Sequence, residues 1–135
     1  MTAGQGKIDD LTLEEMAKVA WEAREKAIVI GNTKVGAAVL SDRGGIFYGC
    51  NIEHRLRSHD IHAEVNAIGA MVAAGEKKLE AILVVAEREN FLPCGACMDW
   101  IFELGGKECV VGFQSRKDGP IRLYLAEELM PHYPR

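Results

Sequence analysis

Cysteine, proline and aromatic residues are all scarce in this chain, and positive charge is not in excess. Four cysteines and four prolines stand among 135 residues, and only 7% of the residues are aromatic. So few cysteines exclude a small scaffold stapled by disulfides. So few prolines, with no biased stretch, exclude a low-complexity chain. No apolar run approaches the roughly 18 residues that a membrane span needs. Sixteen Lys and Arg face twenty Asp and Glu, a net charge of −4. That balance argues against gripping duplex nucleic acid through many phosphates, although a local basic patch could still meet a small anion. The first ten residues are polar and end in Asp9-Asp10, unlike a secretory signal. The expectation is a cytoplasmic protein with no membrane and no stable nucleic-acid partner.

What is present is ordinary for a soluble globular protein: 48% hydrophobic and 27% charged residues. The length suits one domain with a real core. Residues 1–10 read as a flexible arm and 11–135 as a single domain. Thr12 and Glu15 form a capping box, which opens a helix expected from Leu13 to about Ile30 and ended by Gly31-Asn32. Val35 to Leu40 and Ile46 to Asn51 flank a Ser-Asp-Arg-Gly-Gly turn and read as a hairpin. Residues 52–61 read as a loop rich in basic and imidazole side chains. Helices follow at about 62–74 and 94–104, with strands at 81–86, 109–113 and 121–125 and a short helix at 126–130. The apolar run Ala81 to Ala86 suits a strand covered on both faces. This order predicts an α/β protein in three layers, α-β-α, with a five-stranded mixed sheet between helices. Trp21 and Trp100 fall on helices and read as packing residues.

Two short pieces carry chemistry: His62-Ala63-Glu64 and Pro93-Cys94-Gly95-Ala96-Cys97. Each falls where a helix begins after a loop, and a helix start favours anionic groups such as thiolates. Cys94 and Cys97 are one helical turn apart, so both sulfurs can reach one metal. One imidazole and two thiolates suit Zn²⁺ with a position left open, as in a catalytic rather than a structural site. Cys50 and Cys109 lie on strands and read as small core residues. Glu64, two residues after His62, can reach over the metal without binding it. The pattern H-x-E…P-C-x-x-C is that of zinc deaminases acting on nucleobases, with the Glu as proton shuttle. Either piece alone is weak. Together, at two helix starts, they are specific.

Along nearly its whole length the chain resembles the small, single-domain cytidine deaminases. The resemblance rests on Val35-Gly36-Ala37-Ala38, Gly49-Cys50-Asn51-Ile52-Glu53, the His-Ala-Glu, the Pro-Cys-Gly-Ala-Cys and Glu128-Leu129-Met130-Pro131. It implies hydrolytic deamination of cytidine, deoxycytidine or a related aminopyrimidine nucleoside. It also implies one zinc per subunit and a homo-oligomer, a tetramer or dimer. Catalysis would fall to Glu64 and metal binding to His62, Cys94 and Cys97. Asn51 and Glu53 would hold ribose hydroxyls, the Ala63 backbone would meet the pyrimidine edge, and Thr33 would line the substrate.

The departures from the family's pattern are informative. Many small members use three cysteines and place Arg after the catalytic Glu; here His62 is followed by Val65. Zinc with two thiolates and an imidazole is formally neutral, so it has less need of a neighbouring cation. Met98-Asp99 stands where Arg-Gln is usual. Thr33-Lys34 replaces a frequent Phe-Pro, and Tyr133 is the nearest aromatic residue to a pocket-closing Phe. Arg55 and Arg57, in an altered loop, could meet a phosphate or carboxylate on the ligand, or form surface or interface salt bridges. These changes keep open a deaminase of a modified nucleoside or nucleoside-like antibiotic, similar to blasticidin-S deaminase. A non-catalytic zinc-stabilised module is the rival outside enzymes, and Glu64 speaks against it.

Overall fold

A computed structural model describes residues 6–134. The sequence folds into helix α1 (Asp10–Arg24), strands β1 (Gly36–Ser41) and β2 (Ile46–Cys50), and helix α2 (Ala63–Ala73). Strand β3 (Leu79–Val85), helix α3 (Gly95–Gly105), strands β4 (Val110–Gln114) and β5 (Ile121–Leu125) and helix α4 (Ala126–Leu129) complete it. A single 3₁₀ turn, Arg57–His59, interrupts the loop between β2 and α2. The five strands form one sheet in the order β2-β1-β3-β4-β5. Only β3 and β4 run parallel; the other pairs are antiparallel. The expected three-layer, mixed-sheet architecture is what the chain adopts.

Both faces of the sheet are covered, which explains the unbroken apolar run of β3. Ala81, Leu83 and Val85 face a cluster with Met16, Ala20 and Trp21 of α1. Ile82 and Val84 face the opposite cluster, with Ala67, Ile68 and Met71 of α2 and Ile101 and Phe102 of α3. Alternation along a strand sends successive side chains to opposite faces, so each face here has its own core. Two glycines allow the layers to close. A Cβ at Gly36 would lie 2.0 Å from the Ala20 carbonyl oxygen, and one at Gly49 would lie 2.6 Å from the Ala67 nitrogen. The second contact matters for function, because it seats α2 directly on β2. Asn66 of α2 reinforces the seat by accepting from the Cys50 N–H at 2.9 Å.

Three sequence expectations change. Helix α1 starts and stops earlier than its apolar spacing suggests. Asp9 is the N-cap and accepts from the Thr12 N–H at 2.8 Å, so Thr12 is capped rather than capping; Asp is at least as good a cap as Thr. The helix ends at Arg24 because the chain beyond it pairs in extended form. Ile28 donates its N–H to the Asn51 carbonyl at 3.1 Å and accepts from the Glu53 N–H at 2.7 Å. Within the stretch expected to be a flexible arm, Ile8 is buried against the α1 core, and residues 1–5 lie outside the described residues. Trp21 is buried and donates its indole N–H to Gln114 at 2.6 Å. Trp100, by contrast, is 50% exposed, so it is not a packing residue within the chain. It lies on α3 facing away from the sheet that Ile101 and Phe102 cover.

Candidate active site

His62 is the N-cap of α2 and Cys94 the N-cap of α3. The two helices lie on one face of the sheet, and their starts meet there. The His62 Nδ1 is 3.4 Å from the Sγ of Cys94 and 3.4 Å from that of Cys97. The three ligand atoms all lie within 4.8 Å of one another. Cys97, one turn into α3, is fully buried, whereas His62 and Cys94 are exposed. The cluster therefore has a buried floor and an open side.

The donor set fits a zinc ion. Burial pushes the Cys97 thiol well above its usual range, and the neighbouring Glu64 and Cys94 push it further in the same direction. Two sulfurs and a carboxylate so close together can all carry charge only if a cation lies among them. Three ligands of this kind leave a fourth tetrahedral position for a small molecule.

Glu64, on the first turn of α2, is 4% exposed. Burial raises its carboxyl above the ordinary carboxylate range, opposed by its own backbone N–H, by His62 and by the Cys97 thiol. Cys109 is a core residue, its thiol pushed up to about 12 by burial and by Glu80. Cys50 is half-buried at the end of β2, and neither thiol joins the cluster.

A cavity of about 280 Å³ opens onto His62, Glu64 and Cys94. All four residues expected at the substrate line it: Thr33, Asn51, Glu53 and Ala63. Two of them also hold the cavity's own walls. The Asn51 side chain is buried; it accepts from the Val35 N–H at 2.9 Å and donates to the Thr33 carbonyl at 3.0 Å. One oxygen of Glu53 accepts from the Ile30 and Gly31 N–H groups at 2.7 and 2.9 Å. These bonds hold the Glu53 carboxyl below its usual range. Ala63 is the first residue of α2 and fully buried; the backbone N–H there has no acceptor within the helix and can serve a ligand.

The two loop arginines part company. Arg57 lines the cavity, but its Nε donates to Asp60 at 2.9 Å and its Nη2 lies 3.5 Å from Glu53. It forms the salt bridges that were one of its two expected roles. Arg55 is exposed and does not line the cavity. Tyr133 does not line it either: its ring stacks on Phe102 with centroids 4.0 Å apart, and its hydroxyl bonds Asp99. Sequence reasoning missed Phe91 and Leu92, which supply apolar wall. Their place two and three residues before Cys94 was the available signal, because whatever precedes a ligand at a helix start must border the metal.

Comparison with known proteins agrees with this geometry. The family model described as "Cytidine and deoxycytidylate deaminase zinc-binding region" matches residues 11–113. A cytidine deaminase from Sporosarcina psychrophila is 38% identical over 123 residues, covering 90% of each chain. The crystal structure of cytidine deaminase from Burkholderia pseudomallei superposes with a TM-score of 0.78 at 35% identity, covering 87% of this chain and 94% of that one. The cytidine deaminase structure from Mycobacterium tuberculosis gives the same TM-score at 28% identity, covering 95% and 99%.

Proposed function

The chain belongs to the cytidine and deoxycytidylate deaminase zinc-binding family, and on that basis we propose that it is a zinc-dependent hydrolase that deaminates cytidine, deoxycytidine or a related aminopyrimidine nucleoside and releases ammonia. The observation that carries the reading is the buried Glu64 carboxyl beside the His62–Cys94–Cys97 cluster, at the floor of a cavity of about 280 Å³. A structural metal site has no use for that carboxyl.

His62, Cys94 and Cys97 would hold the ion. Zinc supplies Lewis acidity, which makes water a nucleophile near neutral pH. Glu64 then has the two proton tasks that hydrolysis requires. It takes a proton from the attacking water and gives it to the ring nitrogen next to the amine-bearing carbon. It takes the second proton as the C–N bond breaks and delivers it to the departing amine. Water and the aminated ring become ammonia and the oxo ring, and Glu64 ends as it began. Asn51 and Glu53 orient the sugar from the wall they help to build, and Ala63 offers backbone to the ring edge. Thr33 and Phe91 border the ligand.

The exposure of Ile28, Ile30, Leu56 and Ile61, from 40% to 60%, supports a homo-oligomeric assembly. These residues come from neighbouring segments, since Ile52 bridges both Ile28 and Ile61, and Ile61 itself lines the cavity. An apolar rim beside a catalytic cavity is better covered than wet. Sedimentation of the zinc-loaded chain reads the assembly directly.

The test of function is ammonia release from cytidine, deoxycytidine, cytosine and aminopyrimidine analogues by the zinc-loaded protein. Release from at least one nucleoside, lost in Cys94→Ala together with the zinc, is the expected result. A zinc-loaded protein inert on the whole panel would overturn the reading in favour of a binding module.

A further inference from the structure

We propose that Arg88 binds an oxyanion carried by the substrate, a phosphate or carboxylate on its sugar, where that group leaves the catalytic cavity. The inference rests on the deaminase reading above and extends it to the substrate's charge.

Arg88 stands in the loop between β3 and α3, six residues before Cys94. Its Nη1 donates to the Thr33 hydroxyl at 3.3 Å, and its guanidinium lies over the Phe91 ring, 5.8 Å from the centroid. Thr33 and Phe91 both line the catalytic cavity, so Arg88 joins two of its walls from outside. A cation over an aromatic face is oriented as well as attracted. The guanidinium is therefore held at the cavity rim by a neutral hydroxyl and a ring.

Arg57 and Arg24 are differently engaged. Arg57 pairs with Asp60 and Glu53, and Arg24 pairs with Glu25 at 2.7 Å and Glu87 at 3.3 Å. Among the described residues no carboxylate pairs with Arg88. A guanidinium offers five N–H donors in a planar fork. One contact to Thr33 leaves most of that fork for a bidentate oxyanion, the partner it matches best.

The charge inside the cavity says where such an anion can go. Glu53, Asp60 and Glu64 line it against the single guanidinium of Arg57. An anionic group lodged there would meet mostly negative wall. One that projects past Thr33 and Phe91 meets Arg88 instead. Beyond it, Arg88 lines a broader groove of about 610 Å³ of mixed charge, in which Arg24, Arg116 and Lys117 face Glu25, Glu87 and Glu89.

Equilibrium binding to the zinc-loaded Glu64→Gln variant reads this without turnover. The probes are cytidine, its 5′-phosphate, its 3′-phosphate and the analogue with a 5′-carboxylate, which together separate the two oxyanions and their positions. At least one anionic probe should bind about tenfold or more tighter than cytidine, roughly one charge-assisted pair's worth. Adding Arg88→Met, which keeps an apolar chain over Phe91, should reduce that ratio to near one, and Arg88→Lys should restore part of it. The ratio should also fall as salt rises. Cytidine binding as tightly as every anionic probe, or a preference that survives Arg88→Met, would overturn the proposal. Ammonia release by the Glu64-containing enzyme is scored separately, so charge-selective binding without release counts against the deaminase reading and not against Arg88.

Discussion

The wall and the rim of the cavity are built on opposite terms. The wall is Glu64, Cys97 and Ala63 with the two N-cap ligands, all at the starts of α2 and α3. Those helices are fixed by apolar packing on β1, β2 and β3, and by the close approach at Gly49. The rim is residues 28–34 and 51–61, with little regular structure beyond one 3₁₀ turn and two isolated bridges. Its polar side chains hold its own backbone: Asn51 to Thr33 and Val35, Glu53 to Ile30 and Gly31, Asp60 to the His54 N–H at 2.8 Å. Core packing can place a reactive group and leave it free for chemistry. A loop without a core uses its polar groups to stand, and under the proposed function the same groups also bind. Substitutions in the wall should therefore alter chemistry and spare the fold, and those in the rim should alter both.

The largest effect tests the wall. Glu64→Gln keeps the shape of the side chain and removes the proposed base. Its activity should fall about 10²–10⁴-fold or more, the range for a positioned proton-transfer group. Zinc content and unfolding midpoint should stay close to those of the parent, because the carboxyl is not a ligand in this arrangement. A variant that lost its zinc would break the comparison by making Glu64 part of the metal's support. One that kept its full rate would remove Glu64 from the chemistry.

The same division explains what the sequence made legible. His62, Glu64, Cys94 and Cys97 announce themselves because a metal demands particular atoms at particular spacings, and helix starts supply them. The strands were readable because β3 is apolar on both faces and the glycine turn isolates the hairpin. The end of α1 was not. Its small apolar residues continue at helical spacing through Ala27, and only the distant pairing of Ile28 with Asn51 and Glu53 overrides them. The structural role of Asn51 and Glu53 was equally hidden, since their partners lie 16 to 23 residues away. Arg88 carried no local signal either; its meaning comes from Thr33, which is 55 residues distant.

An intermediate effect tests the rim. Asn51→Ala deletes two bonds to backbone groups at a buried position, so the Val35 N–H and the Thr33 carbonyl both lose a partner. Stability should fall by about 1–3 kcal/mol, the cost of leaving buried polar groups unsatisfied. KM should rise at the same time, because Thr33 and the sugar-facing wall move together. Denaturant unfolding and steady-state kinetics on one preparation check both. A change in KM with an unaltered midpoint would mean that Asn51 serves the ligand alone, and the contrast between wall and rim would weaken.

The smallest effect is one of pH, and it isolates the charge of Glu53. The Gly31 and Ile30 N–H groups stabilise the ionised carboxylate and hold it below its usual range, with Arg57 helping and Asp60 opposing. A carboxyl whose folded value is depressed stabilises the fold fully above its unfolded value, near 4.3, and loses that contribution as pH falls through the folded one. Glu53→Gln keeps an oxygen for the two N–H groups but gives up the charge. The variant should therefore be the less stable of the two at pH 7, by less than the Asn51→Ala effect, and the gap should close as the pH drops below about 4. Urea midpoints at pH 7, 5, 4 and 3, with a chelator in every sample so that acid release of zinc does not enter, measure the gap. A gap that widens in acid would mean that Glu53 is strained in its charged form, and the rim would then be held together by its neutral hydrogen bonds alone.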